Sequence, residues 1–504
     1  MRTGAVLLVL ALLAPAAWPA GTNASPLFRD FMGLNVHTVA FRPELYKPVC
    51  RLVRDYHGLD WDLGQDSSYA PRFPLARNQV DWEELYGGWK RAGYATDVCV
   101  MFDNFPAKDW KDLPGDAYAY GLTFARFFGP SGTQKLAEAV EIGNEPGQYD
   151  DATYRAVFEH MARGARQGDP KLKLATCAMT AGPSQRYAKS LSCVKGLESL
   201  YDVISVHTYA LVEGYPTWRR SYPEDPSIEY LKDVKDVQDW RDANAPGKEV
   251  WVTEFGWDAS TKPAPATGDF SRWIGSTETQ QAQYLVRSFL VFAAMGVDRA
   301  FIFFFNDEDE PQFHGSSGLT RNYRPKPSFY AVAHLYRTLG DYRFAHAVVQ
   351  QPGDLYVYEF QRGDDEKERA WAAWSPTGSG RTHDMALPAP PGMIVRAERM
   401  PLKEGPAETV AWMTAPDGKV RLAVGESPVY LWFRSSLSTA REGGLRAPPT
   451  PAAPSAGATG GGFVARGAAR RTEGVSSSGT NTAVCQSADQ APAERLEVQN
   501  ASCR

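Results

Sequence analysis

Two stretches, AVEIGNE at residues 139–145 and EVWVTEF at 249–255, decide how this chain is read. Each is a short apolar run that closes on a glutamate, Glu145 before Pro146 and Glu254 before Phe255. Runs of this kind, apolar on both faces, suit strands of a parallel sheet covered on both sides. Six similar runs flank them: FMGLNVH (31–37), CRLVRDY (50–56), TDVCVMFD (96–103), KLATCAMT (173–180), DVISVHTY (202–209) and RAFIFFFN (299–306). Helix-like stretches lie between, among them DWEELYGGWKRAG (81–93), ATYRAVFEHMARGARQ (152–167) and TETQQAQYLVRSFLVFAAMG (277–296). Strand then helix, repeated eight times over roughly 300 residues, predicts a (β/α)8 barrel.

In such barrels the functional residues gather at the C-terminal ends of the strands. Here those ends carry His37, Arg54, Asp103, Glu145, His207, Tyr209, Glu254 and Asn306. Pro146 disfavours helix at Glu145 and pushes it toward an extended conformation, so that its carboxylate projects from the strand end. Glu254 sits among aromatics, where an unpaired carboxylate is costly. A cationic partner would keep it ionised, and Arg54 is the natural candidate. Paired carboxylates on separate strands of one barrel are what double displacement at a sugar carbon requires: one protonates the leaving oxygen, the other attacks.

The remaining sequence reads as accessory. Residues 341–435 change to alternating patterns such as DLYVYEFQR and KVRLAVGE, separated by Gly-, Pro- and Asp-containing turns. This predicts a small antiparallel β-sandwich. Residues 436–504 are rich in Ala, Gly, Ser, Thr and Pro and predict a disordered tail. At the other end, Arg2, the apolar AVLLVLALLA (5–14) and the small-residue APAAWPA (14–20) read as a secretory signal over residues 1–20. The expected domains are therefore 1–20, a barrel over 21–340, the sandwich, and the tail, in a secreted or periplasmic protein. A net charge of −5 over 504 residues gives no basis for nucleic acid as a partner. Outside the leader no stretch approaches the ~20 apolar residues of a membrane span.

The six cysteines show no zinc-ligand spacing. Cys177 with Cys193, and Cys485 with Cys503, are plausible pairs in a secreted chain, whereas Cys50 and Cys99 read as buried thiols. Neither a metal nor a cofactor is called for. Asn23-Ala-Ser and Asn500-Ala-Ser are sequons.

The pattern Asn144-Glu145 on the fourth run with Glu254 on the seventh resembles the clan A glycoside hydrolases, retaining (β/α)8 enzymes, with family 39 and family 5 types nearest. The resemblance covers about residues 30–335. It implies that Glu145 is the general acid/base and Glu254 the nucleophile. It further implies that Asn144 contacts the substrate 2-hydroxyl, that Arg54 supports the nucleophile, and that His207 and Tyr209 line strand six, the tyrosine bonding the nucleophile. The implied activity is hydrolysis of a β-linked glycoside or polysaccharide, with a carbohydrate as the partner molecule. One departure stands out. Many members place a Trp on strand eight beneath the sugar, whereas this chain has FIFFFND at 301–307. A Phe or the Asn306-Asp307 pair takes that place.

Aromatic residues near the strand ends are candidate sugar platforms: Trp61, Phe102, Trp110, Tyr215, Trp218, Phe313 and above all Trp257. Asp103, Asn104, His37 and His57 are candidates for hydroxyl contacts. Three other readings compete: a transglycosylase on the same fold, a non-catalytic carbohydrate-binding protein, and a metal-dependent barrel hydrolase. The last needs a pair such as HxH on strand one, where only His37 stands.

Overall fold

The computed structural model describes residues 25–36, 42–72 and 80–434, apart from Asp364, Thr377 and Pro391. The predicted leader, both sequon asparagines, His37, the tail and the Cys485/Cys503 pair lie outside the described residues.

All eight predicted runs form strands: β1 Met32–Val36, β2 Leu52–Gly58, β3 Ala95–Met101, β4 Ala139–Ile142, β5 Lys173–Thr180, β6 Val203–His207, β7 Glu249–Phe255 and β8 Arg299–Ile302. Neighbours pair in parallel in the order β4-β3-β2-β1-β8-β7-β6-β5, and a β4–β5 pairing closes the ring. Closure removes both sheet edges, and helices cover the outside. This is why β1 and β2 are buried at every position.

The main covering helices are α1 Trp82–Arg91, α2 Leu113–Phe128, α3 Asp151–Gly168, α4 Tyr230–Asn244, α5 Glu278–Met295 and α6 Pro327–Leu339. Asp81 caps α1, Asp150 caps α3, and Thr277 caps α5 in a reciprocal box with Gln280. The strand-helix alternation is broken after β5. That connection carries only a two-residue strand and the 3-10 turn Leu191–Val194. The helix predicted there by simple repetition is absent from it.

Inside the ring, side chains form layers. The lowest is apolar: Leu52, Ala95, Ala139, Ala175, Val203, Trp251 and Phe301. Its packing reaches the backbone, because a Cβ on Gly33 would lie 2.3 Å from the Phe301 ring. Two residues further along β2 and β4, on the same inward face, come Arg54 and Glu141. The polar layer therefore rests on a dry plug.

The C-terminal region forms two antiparallel sheets. The larger orders β9 (Tyr342–Gln351), β10 (Leu355–Arg362), β11 (Asp365–Trp374), β15 (Val429–Arg434) and β13 (Met393–Arg399), with a short edge at 408–409. The smaller pairs β12 (His383–Pro388) with β14 (Lys419–Val424) and residues 413–414. Leu355, Val357, Leu431 and Phe433 of the larger sheet pack with Met385, Leu422 and Val424 of the smaller, as a sandwich requires. The alternate residues Tyr356, Tyr358, Phe360 and Trp432 join the barrel's core instead. The larger sheet is thus apolar on both faces along its middle strands β10 and β15.

A buried ion cluster ties the two regions. Arg287 of α5 is fully buried and pairs with Glu224 through both Nε and Nη2, and with Glu426 at 2.5 Å. Trp374 Nε1 donates to Glu224 Oε1 at 2.7 Å. The expected disulfide between Cys177 and Cys193 is not formed. Both are free thiols, as are Cys50 and Cys99. Cys177 lies on β5 with its Sγ 3.4 Å from the Ala178 carbonyl, while Cys193 sits in the 3-10 turn beside Ser184.

Removing Arg287 would leave two buried carboxylates without a cation. Arg287→Met is expected to lower the unfolding free energy by about 3–5 kcal/mol in urea titration.

Candidate active site

The site is assembled around Arg54. Its side chain is fully enclosed at the barrel centre. Nε and Nη2 donate to the two oxygens of Glu141, each at 2.9 Å. Nη1 donates to Asn35 Oδ1 at 2.8 Å and to Glu254 Oε1 at 3.1 Å. Nη2 also reaches Asn144 Oδ1 at 2.9 Å and Cys99 Sγ at 3.0 Å. A guanidinium has five N–H donors in a rigid fork, and here the whole fork is occupied. Asp55, a possible partner by adjacency, faces the other way and accepts from Tyr86 OH at 2.9 Å.

Glu254 reaches the site through an irregularity in β7. Trp251 points inward with the plug, while Val250 and Val252 point outward to the helices. Strict alternation would send Glu254 outward too. The pairing shifts between Val252 and Phe255 on the β8 side, and between Val206 and His207 on the β6 side. The shift restores Phe255 to the outer core and turns Glu254 inward, as bulges beside active sites do. Its Oε1 accepts from Tyr56 OH at 2.7 Å as well as from Arg54, and its Oε2 accepts from Tyr209 OH at 2.8 Å.

Glu145 lies just past β4. The strand stops at Ile142 because Gly143 takes a left-handed φ of 91°, a conformation other residues seldom adopt. The Asn144 carbonyl then accepts from Ala178 N at 3.0 Å, so the turn is pinned to β5. Glu145 Oε1 accepts from His207 Nδ1 at 2.8 Å, and the same nitrogen lies 3.6 Å from Glu254 Oε2. One ligand atom each from Glu145, His207 and Glu254 falls within 4.8 Å of the others.

The two carboxylates are chemically distinct. For Glu254, burial alone would favour the neutral acid. The charges of His207 and Arg54, then the hydroxyls of Tyr56 and Tyr209, reverse this and hold it below the ordinary glutamate value. For Glu145, burial dominates. The bond from His207 offsets it only in part, the negative charge of Glu254 adds to it, and the carboxyl is pushed above its ordinary value. Glu145 also keeps 22% of its side chain open to solvent, against 6% for Glu254. Burial works against charge on His207, but Glu254 and Glu145 outweigh it and raise its affinity for a proton.

The Glu145-His207-Glu254 cluster offers three ligand atoms to a cation. Arg54 and two hydroxyls already occupy the oxygens of Glu254, and a guanidinium at 3.1 Å opposes a second positive charge there. The donor set fits a carboxylate held as an anion better than a metal centre.

The structure brings together Arg54, Asn144, Glu145, His207, Tyr209 and Glu254 from the residues singled out in the sequence. Asp103 stands close by with an exposed surface. Crowding by protein, then the negative charges of Asp60 and Glu254, raises it to about 6. Other expectations fail. Trp257 is fully buried between Tyr230 and Tyr284, its Nε1 donating to Ser221 O at 2.7 Å, so it is no platform. Asn306 Oδ1 accepts from Thr320 Oγ1 and Tyr323 N and serves the loop after β8. His57 is buried between Asp62 and Tyr86 and stacked on Trp82. The eighth-strand position falls to Phe303, whose ring centroid lies 6.5 Å from that of Tyr56 and 6.4 Å from that of Tyr209. Phe102 and Trp110 are core residues packed on Tyr149 and Phe105. Tyr215, Trp218 and Phe313 instead form a partly exposed aromatic row running outward from Tyr209.

Sequence reasoning missed Asn35, Tyr56 and Glu141. Two-residue spacing was their signal: Leu52-Arg54-Tyr56 and Ala139-Glu141 each share the inward face.

No protein-family model matches this sequence, and no curated protein sequence does. Solved structures do match. A family 39 glycoside hydrolase from the gut symbiont Bacteroides cellulosilyticus WH2 superposes with a TM-score of 0.60 at 17% identity, over 80% of each chain. A glucosidase from Croceicoccus marinus gives a TM-score of 0.56 at 13% identity, over 82% of this chain and 97% of that one. A family 30 subfamily 8 xylanase from Clostridium acetobutylicum gives 0.52 at 12%, over 80% and 96%. At these identities the likeness establishes the shared fold, barrel and C-terminal sheets together.

Removing the guanidinium should expose its role. In Arg54→Met, the fully buried Glu141 would lose its bidentate partner and Glu254 would keep only the charge of His207, so the folded-state pKa of Glu254 would rise. Stability should fall by about 3–5 kcal/mol at neutral pH. The loss should shrink as pH drops and Glu254 protonates, which denaturation series from pH 4 to 8 would show.

Proposed function

We propose that this protein is a secreted retaining glycosidase acting on β-linked glycosides, with Glu254 as nucleophile and Glu145 as acid/base. One observation carries the reading: two carboxyls, each with an atom within 4.8 Å of the other, have proton affinities pushed in opposite directions. Inverting enzymes need roughly 6.5–9.5 Å between carboxyls to admit a water, whereas double displacement uses about 5–5.5 Å. The family 39 and family 30 likeness of the fold supports the same class. The apolar leader at residues 5–14 supports export.

The chemistry follows from the contacts. Glu254, held ionised, attacks the anomeric carbon. Glu145 delivers its proton to the departing glycosidic oxygen, and the C–O bond breaks as the sugar-carboxylate ester forms. Once ester-bound, Glu254 no longer bears a negative charge near Glu145. Glu145, now ionised, takes a proton from water, which attacks the same carbon and releases Glu254 with net retention. Tyr209 and Tyr56 orient the attacking carboxylate. Asn144 accepts from Arg54 through Oδ1, which leaves its amide N–H2 to donate to a sugar hydroxyl. Phe303 supplies the apolar surface under the sugar that a Trp supplies elsewhere.

A panel of aryl β-glycosides and β-glucans tests the reading. Glu254→Ala and Glu145→Ala should each lose several orders of magnitude in kcat, on the scale of a lost covalent or acid/base step. Near-normal turnover in either variant would sink the assignment. Azide added to Glu254→Gly should restore turnover and yield an inverted glycosyl azide. The pH dependence of kcat/KM should be bell-shaped. Its acid limb, from Glu254, should lie below the ordinary glutamate value and its basic limb, from Glu145, above it. Glu145→Gln should abolish the basic limb.

A further inference from the structure

Tyr209, which donates to Glu254 Oε2, lies beyond the barrel wall, two residues past the end of β6. Its ring needs a support that the strands do not supply. The guanidinium carbon of Arg220 lies 4.7 Å from its centroid and 4.9 Å from that of Phe313, so both rings pack on one cation. His314 packs edge-on against Tyr209 at 4.6 Å.

Arg220 is itself anchored on three loops. It stands in the loop after β6. Its Nη1 donates to the Gly256 carbonyl at 2.8 Å and lies 3.2 Å from Asp258 Oδ2, both after β7. Its Nη2 lies 3.4 Å from His314 Nδ1, after β8. Asp258 accepts from His314 N at 3.1 Å and from Ser317 Oγ at 2.6 Å. Arg220 is only 9% exposed.

We propose that Arg220 is a positioning residue for the reaction. It clamps Tyr209 between the loops after β6, β7 and β8, so that the phenol stays on Glu254. The inference rests on the proposed role of Glu254. A planar guanidinium can meet an aromatic face while its in-plane N–H groups bond a carbonyl and a carboxylate; a lysine ammonium supplies the charge without the plane. Asp258 makes the buried cation tolerable. Burial, then the charge of Arg220, pushes His314 down to about 4, so near neutral pH its ring can accept from Arg220.

Glu254 also faces Arg54 and Tyr56 of β2, Glu145 after β4, His207 of β6 and the nearby Asp103, all of which the substitution leaves in place. Freed from the clamp, Tyr209 would no longer donate to the ionised carboxylate. A hydrogen bond to the charged form lowers a carboxyl pKa, so its loss raises that of Glu254. The acid limb of kcat/KM then moves to higher pH.

The decisive experiment is a double-mutant cycle on the full chain with an aryl glycoside that the wild type hydrolyses. Arg220→Met should lower kcat by roughly 100-fold, the scale of a misplaced reacting group, with KM changed far less. In a Tyr209→Phe background the same substitution should cost little more, because the group it positions is gone. Losses that multiply in the double variant would overturn the proposal, as would an unmoved acid limb. Arg220→Lys, the variant that keeps the charge if Arg220→Met fails to fold, should lose nearly as much; full activity with lysine would refute the clamp. Titration of Glu254 by 13C NMR in glutamate-labelled protein gives a readout free of turnover. A raised Glu254 pKa in the variant supports the clamp even if the wild type hydrolyses no substrate, a result that would defeat the glycosidase reading alone.

Discussion

A buried guanidinium holds this structure's centre together. Placing Arg54 in a closed barrel is costly unless every donor is matched. The fold matches them with a bidentate carboxylate below, an asparagine to one side and the outer carboxylate above. Glu141 takes most of the charge. Glu254 receives one bond from the same fork, which together with the charge of His207 holds its carboxyl below the ordinary glutamate value. Asn144 and Cys99 occupy what is left of the fork. The polar layer has little freedom to rearrange, because the plug of Leu52, Trp251 and Phe301 beneath it is closely packed.

That constraint also explains the division of labour above it. His207 bridges two carboxylates with one nitrogen, 2.8 Å from Glu145 and 3.6 Å from Glu254. The histidine bonds the more exposed group while its charge reaches both. Glu254, with the arginine and two phenols, stays an anion. Glu145, with a single histidine partner and an opening to solvent, holds a proton more readily than an ordinary glutamate. Environment, rather than residue type, pushes the proton affinities of the two glutamates in opposite directions.

Much of the fold was legible because parallel strands buried on both faces write uninterrupted apolar runs, and eight of them appeared in order. The places of Asn144, Tyr209 and both glutamates were legible for a related reason: polar residues closing such runs have few places to go but the rim, whereas Arg54, read as a strand end, lies mid-strand in β2 and enclosed at the barrel centre. The misreadings are equally physical. Trp257 was chosen for nearness in sequence to Glu254, but past the bulge the chain turns its indole into the helices. Pairing Cys177 with Cys193 relied on spacing, which does not reveal that one thiol sits on a barrel strand and the other in a separate turn. The helix missing after β5 left no trace in a count of strands. Arg220 could not be foreseen, since its partners come from three loops that only the closed barrel brings together.

The middle strands of the larger C-terminal sheet, β10 and β15, are buried on both faces. Tyr356, Tyr358 and Phe360 belong to the barrel's core, while Leu355 and Val357 belong to the sandwich's. A layer shared between two interiors cannot be peeled from either without exposing a broad aromatic surface to water. The barrel and its appendage are therefore one cooperative folding unit. Evolution or engineering can vary the outer three-stranded sheet, but can exchange the inner one only by redesigning the barrel's own core.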